Sequence, residues 1–430
     1  MKVSHRRPAA LDQFYYGAAY YPEHWDRSMW ENDARQMADA GFNAVRLGEF
    51  AWQLMEPEEG RYDFSLFDDA IEIIAAHGLK VIMCTPTAAP PRRLTATWPD
   101  MLRVDADGRP MLHGSRQHAC HSSPRFRDYS RRITQAMADH FRDCHDVVGW
   151  QTDNEIHCHF SECHCPSCQS AFRHFLKAKY GSIDRLNRAW GTVFWSLTFD
   201  DFDQIETPRP NRPTFGNPSH ELDYRRFLSC AAADFQRDQL EILRAAGRPW
   251  FTFHNGVMAN LDYRGPFGQE LDVLGFDVYP FFEFDPAKRR ENHAFSLDRV
   301  RSLTGNFIIP EHQSGPGGQA TYFHDNPEPG ELRKLCYVSL ARGGDSLLYF
   351  RWRTCRFGAE EYWCGVIDHD DVPRRRYREV AELGRDLATL GPWLRGTHVA
   401  IDCAVATGDY DSDTAHRLYP LGLPAPGVIA

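Results

Sequence analysis

The sequence predicts an α/β fold, a (β/α)8 TIM barrel with a long insertion after strand four and a short C-terminal remnant. Two observations carry this expectation. Short apolar runs alternate with amphipathic helical segments, the pattern of a parallel sheet covered by helices. Eight such β-then-α units follow one another over roughly 380 residues, the span of one barrel with insertions.

The expected strands are Phe14 to Tyr20, Ala44 to Gly48, Val81 to Thr85, Val147 to Thr152, Trp250 to His254, Val273 to Val278, Phe307 to Pro310 and Ser346 to Phe350. The helix after the first strand places Trp30, Ala34, Met37 and Ala38 on one face and stops at Gly41. The next carries Phe67, Ala70, Ile71, Ile74 and Ala75 and stops at Gly78. The insertion lies between strands four and five, about 156–247, where Pro208, Pro210, Pro213 and Pro218 mark irregular chain. After Gly396 a strand-like run, Val399-Ala400-Ile401, restarts. Some 30 residues cannot form an independent domain. The expected division is therefore a barrel over 1–395 and the remnant of a truncated second domain over 396–430.

Net charge of -10, a pI near 6.0 and the lack of a basic tail exclude a nucleic-acid footprint and fit a small neutral substrate. No apolar run reaches the roughly 18 residues of a membrane span. Met1 to Arg7 is basic, with no apolar stretch before Leu11, so a cytoplasmic location is expected. Of the 11 Trp, most belong to core or barrel wall, and a minority can stack on the apolar faces of sugar rings.

The most informative stretch is Val147-Val148-Gly149-Trp150-Gln151-Thr152-Asp153-Asn154-Glu155, an apolar run that ends in Asn-Glu. It sets a neutral hydrogen-bonding amide beside a titratable acid at a strand's C-terminal end, where such barrels keep their active sites. A second carboxylate in the same kind of position, Glu311, follows Asn306-Phe307-Ile308-Ile309-Pro310. Retaining glycosidases need two carboxyl groups about 5 Å apart, one as acid/base and one as nucleophile. Strands four and seven of one barrel can supply that spacing. Either glutamate alone would also suit a capping role; together they point to glycosidic bond cleavage.

Among the 12 cysteines, Cys158, Cys163, Cys165 and Cys168 fall within eleven residues. In a chain read as cytoplasmic, such a cluster points to metal rather than disulfides. His157, His159 and His164 lie among them, so an all-cysteine set and a Cys3His set both fit.

The chain resembles glycoside hydrolase family 42, the β-galactosidases of clan A. The matching stretches are Tyr20-Tyr21-Pro22-Glu23-His24-Trp25, Val45 to Trp52, Glu56 to Phe64, Trp150 to Glu155, and Phe350-Arg351-Trp352-Arg353. The resemblance implies Glu155 as acid/base and Glu311 as nucleophile, in agreement with the reading of the residues themselves. It further implies that Asn154 contacts the sugar 2-hydroxyl, that Tyr279 hydrogen-bonds the nucleophile, and that Arg46 and Arg116 serve as subsite arginines. Phe350 and Glu360 resemble the sugar contacts of strand eight. Cys163, Cys165 and Cys168 resemble a zinc triplet with Cys120 as fourth ligand, a closed structural site, so that catalysis needs no metal. A homotrimer is implied as well. Two positions depart from the pattern: Gln319 stands near where members often carry Trp, and Trp363 where many carry His, both in the region that grips the nonreducing sugar.

The leading expectation is a retaining exo-β-galactosidase acting on a terminal galactoside. The alternatives are an α-L-arabinopyranosidase or β-D-fucosidase, for which Trp363 and Gln319 are the discriminating features, and a catalytically silent carbohydrate-binding or assembly protein. A zinc hydrolase fits poorly, because a thiolate-filled site leaves no open coordination position.

Overall fold

A computed structural model describes residues 5–210, 213–256, 259–319 and 322–420. Seven strands form one sheet in the spatial order Phe251–Phe253, Val147–Gln151, Lys80–Cys84, Ala44–Leu47, Tyr15–Ala19, Gly344–Phe350, Phe307–Gln313. Every pairing is parallel. The expected sixth strand closes the ring without forming a regular ladder. Val273 and Gly275 donate backbone hydrogen bonds to Thr252 and His254 on one side. Gly275 and Val278 make single parallel bridges to Ile308 and His312 on the other. The chain passes so close here that a Cβ at Gly275 would lie 2.6 Å from the His254 carbonyl oxygen. The architecture is a (β/α)8 barrel with one irregular stave.

Two strand ends differ from expectation in ways that matter. The seventh stave runs on from Phe307 to Gln313, because His312 and Gln313 continue to pair with Tyr349 and Phe350. Glu311 therefore lies on the strand rather than after it. The run Val399 to Ile401 forms no strand; Ile401 is 65% exposed, and a lone apolar run without a pairing partner has nothing to hold it extended. The chain instead reaches a helix, Tyr410–Leu418, tied to the helix Pro218–Ala245 through Arg226 and Asp411. Residues 421–430 lie outside the described residues.

The helices follow the apolar spacing. Trp30–Asp39 buries Trp30, Ala34 and Met37, and Ser65–Ala76 buries Phe67, Ala70, Ile71 and Ile74. Both are followed by glycines at positive φ, Gly41 at 78° and Gly78 at 79°, a conformation that L side chains resist. Inside the ring, Tyr15, Ala44, Ile82, Phe251, Val273, Ile308 and Leu348 form a cluster of strand residues, so the barrel is filled rather than open.

The insertion has its own core. Phe172, Leu176, Leu186, Trp190 and Ile205 pack with Tyr224, Phe227, Leu228 and the four cysteines Cys120, Cys163, Cys165 and Cys168. Further along the same Pro218–Ala245 helix, Ala232, Phe235, Leu240 and Leu243 belong to the main barrel core. One helix therefore fixes the insertion to the barrel.

Candidate active site

After the strand Val147–Gln151 the chain enters a strained loop. Asp153, Glu155 and His157 all have positive φ, at 54°, 40° and 68°. Such values are unfavourable for residues other than glycine and persist where surroundings over-determine them. Here the restraints are visible. His254, at the end of the fifth strand, contacts the Thr152 carbonyl through Nδ1 at 2.6 Å and accepts from the Ile156 amide through Nε2 at 3.0 Å. Burial pushes its pKa down to about 4, so it is a neutral imidazole able to do both. Asn255 Oδ1 accepts from the Glu155 amide at 3.0 Å, and Gln117 Nε2 donates to the Asn154 and Glu155 carbonyls at 2.8 and 2.5 Å.

This loop turns the Glu155 side chain toward Glu311. Carboxylate oxygens of Glu155, Glu311 and Asp277 lie within 4.8 Å of one another. Both glutamates are more than nine-tenths buried. Glu311 accepts from three donors: Arg46 Nη2 at 2.6 Å, Tyr279 Oη at 2.5 Å and Asn255 Nδ2 at 3.2 Å. Glu155 meets Arg116 Nη2 at 3.0 Å. Burial raises the pKa of Glu155 above the ordinary carboxylate range, against the pull of Arg116 and with help from Glu311 and Glu360.

The structure brings the remaining expected residues to the same place. Arg46 is wholly buried, and its second partner is Glu49, with Nη1 2.9 Å from Oε1. It thus grips the Glu311 carboxylate from within the barrel. Arg116 lies 5.8 Å above the Phe50 ring and also meets His159 Nε2 at 2.7 Å. Turned toward Glu49 and Arg116, the Asn154 amide donates to Glu49 Oε1 at 2.7 Å and accepts from Arg116 Nη1 at 2.5 Å; turned the other way, its Oδ1 accepts from Asn255 Nδ2 at 2.8 Å. The ring of Trp363 stands edge-on to Tyr279 at 5.2 Å and to Phe350 at 5.8 Å. Its Nε1 is buried without a partner among the described residues. Glu360, on a 3-10 turn, faces Arg351 at 3.8 Å. Gln319 lies on the short strand Gly318–Gln319, paired with Tyr322.

Four residues of the centre were not anticipated: Glu49, Asn255, Asp277 and Gln151. Burial pushes the Glu49 pKa up to about 7, and its carboxylate accepts from Tyr21 at 2.5 Å and Gln151 at 2.8 Å. All four stand at or just beyond the carboxyl ends of staves, which is the signal that would have found them.

The four cysteines Cys120, Cys163, Cys165 and Cys168 are buried, with sulfurs within 4.8 Å of one another. Cys120 Sγ is 3.3 Å from Cys168 Sγ and 3.5 Å from Cys165 Sγ. Tetrahedral thiolate zinc, with bonds of about 2.3 Å, needs sulfurs close to this spacing, so the donor set fits such an ion. The Cys168 amide donates to Cys165 Sγ at 3.4 Å, a bond that suits a thiolate. The Cys3His arrangement is not the one the fold assembles. His164 is engaged by Thr207 Oγ1 at 2.9 Å, and Cys158 lies instead beside Glu155 and His159.

Fold and site together define a (β/α)8 barrel with paired carboxylates at the carboxyl ends of its fourth and seventh staves. The chain belongs to glycoside hydrolase family 42, described as beta-galactosidase, which it matches over residues 19–390. It is 39% identical to the beta-galactosidase BgaA of a Thermus species over 424 residues, covering 94% of this chain and 64% of that protein. It is 38% identical to the beta-galactosidase BgaH of Haloferax lucentense, covering 94% of this chain and 62% of that one. The solved beta-galactosidase of Halorubrum lacusprofundi superposes with a TM-score of 0.88 at 36% identity, over 96% of this chain and 63% of that chain. The chain thus spans a little under two thirds of these relatives' length.

Proposed function

We propose that the protein is a retaining exo-β-galactosidase that releases terminal β-D-galactosyl residues by double displacement. The observation that carries this reading is the separation of carboxylate oxygens on Glu155 and Glu311, within 4.8 Å. Retaining enzymes hold their carboxyl groups about 5 to 5.5 Å apart, whereas inverting ones leave room for a water between them. Relatives that bear the name beta-galactosidase supply the sugar.

In the first step Glu311 attacks the anomeric carbon while Glu155 gives its proton to the leaving oxygen. In the second, Glu155 takes a proton from water, which releases the sugar with its β-configuration kept. Burial keeps Glu155 protonated for the first step. Arg46, Tyr279 and Asn255 hold the Glu311 carboxylate in one orientation. Asn154 faces the 2-hydroxyl, Arg116 and Glu360 offer polar contacts, and Phe350 and Trp363 wall the sugar. The cysteine set holds structural zinc, and the carboxylate chemistry needs no metal.

The reading extends to assembly and compartment. A homotrimer agrees with the exposed apolar loop Val193, Phe194 and Trp195, at 86%, 62% and 62% exposure, a surface of the kind that subunit contacts cover. Twelve unpaired cysteines suit the reducing cytoplasm. No described helix is long and apolar enough to cross a membrane.

The test is the stereochemistry of the first product. Proton NMR on early reaction mixtures with nitrophenyl β-D-galactoside should show β-galactose before mutarotation. An α-anomer appearing first defeats the two-step mechanism. Rates on the galactoside, the β-D-fucoside and the α-L-arabinopyranoside, run in parallel, decide the sugar.

A further inference from the structure

Asp277 is the carboxyl of the central trio that neither arginine serves. Arg46 is engaged with Glu311 and Glu49, and Arg116 with Glu155. Asp277 Oδ2 accepts from Asn255 Nδ2 at 2.8 Å, while Oδ1 is buried with no donor on it among the described residues. The residue is 9% exposed. Three carboxyl groups this close and this deeply buried cannot all be ionised. An orphaned carboxyl oxygen is satisfied most simply by carrying the missing proton itself, which turns it from acceptor into donor. Of the two carboxyls with an oxygen within 4.8 Å, Glu311 already accepts from three donors, which leaves Glu155 as the acceptor for that proton.

We propose that Asp277 is a positioning residue for Glu155, a carboxylic acid that keeps its proton throughout the cycle and donates it as a hydrogen bond to the Glu155 carboxylate. The inference rests on Glu155 being the acid/base. No bond is made or broken at Asp277. Once Glu155 has given its proton to the leaving oxygen, the Asp277 hydroxyl holds the new carboxylate in place, facing the incoming water. Asn255 fixes the other oxygen of Asp277 and reaches Glu311 as well, which ties the three groups into one geometry.

The charged surroundings agree. Asp277 faces Glu311, Glu155 and Glu49 as like charges and Arg46 as the opposing one, with Tyr279 on its own stave and Cys158 across the cleft. Burial first, then Glu311 and Glu155, raises its pKa well above the ordinary range.

Asp277→Asn is the decisive variant, because the amide keeps the shape and can donate the same bond. It should retain kcat/KM within about threefold and leave the basic limb of the pH profile in place, whereas Asp277→Ala should lose about a hundredfold. Infrared spectra at neutral pH should show one protonated carboxyl band fewer in Asp277→Asn than in the unmodified protein. If Asp277 were ionised, Asp277→Asn would lower the basic limb by about a unit and remove no such band; either result overturns the proposal. The infrared reading needs no activity and stands even if Asp277→Ala fails to fold. An error in the role of Glu155 shows separately, as failure of azide to rescue Glu155→Ala.

Discussion

Tyr279 donates a 2.5 Å hydrogen bond to Glu311 Oε2, and the two residues sit on neighbouring staves, the irregular sixth and the extended seventh. The same register brings the Val278 amide onto the Glu311 carbonyl at 2.6 Å. Side chain and backbone of Glu311 are thus both set by the stave that lacks a regular ladder. Tyr279→Phe should keep the fold and lower kcat by about a hundredfold, as loss of one preorganised donor does. An unchanged kcat with an unchanged melting temperature would show the phenol to be idle.

The two glutamates should fail differently. Glu311→Ala should abolish turnover. Glu155→Ala should still form the glycosyl-enzyme from substrates with activated leaving groups, and azide should rescue it as a β-glycosyl azide. Turnover indifferent to Glu311→Ala would refute the pair.

Zinc removal should reach the active site through the chain. Cys120 follows Arg116 and Gln117 by a few residues, and those two hold the Glu155 carboxylate and the carbonyls of its loop. Elemental analysis should find about one zinc per chain. Chelation should lower the melting temperature first and then raise KM as the Arg116 segment loosens. Metal-free protein with full stability would remove the zinc assignment.

Acid should weaken the loop around Glu155 through His254. Its folded pKa, near 4, is below the ordinary value of 6.5, so the unfolded chain binds the extra proton between those limits. Its contribution is therefore whole above about pH 6.5 and is lost as pH falls through 4. Glu23 and Glu49, raised to about 7, act in the opposite sense over part of this window. The difference between unmodified protein and His254→Gln isolates the histidine. Denaturant midpoints should differ most at pH 8 and converge toward pH 4; a constant gap contradicts the assignment.

Gly317 seats Trp363, since a Cβ there would meet the indole ring. Gly317→Ala should displace Trp363 and raise KM for galactosides severalfold with little change in melting temperature. An unaltered KM would place Trp363 outside the sugar contacts.

Apolar periodicity and strand-end chemistry made the barrel and the two glutamates legible in the sequence, because both are local: a stave is a short run, and Asn154-Glu155 stands at the end of one. The cysteine cluster was legible for the same reason, since Cys163, Cys165 and Cys168 lie within one short loop; Cys158 falls outside the buried set and Cys120 joins it in the fold. Glu49, Asn255 and Asp277 also stand at strand ends, but nothing in their local sequence marks a shared role. Each is a single polar residue on a different stave, and they become a site where the parallel register sets their strand ends side by side. Long-range contact likewise decided what pattern could not. The sixth stave meets its neighbour through single bridges at Gly275 and Val278, continued pairing with Phe350 drew Glu311 onto its strand, and Val399 to Ile401 pair with no strand among the described residues. Hydrophobic period states which face of a segment is buried; which polar groups then meet across that face depends on register, and register exists only once the ring has closed.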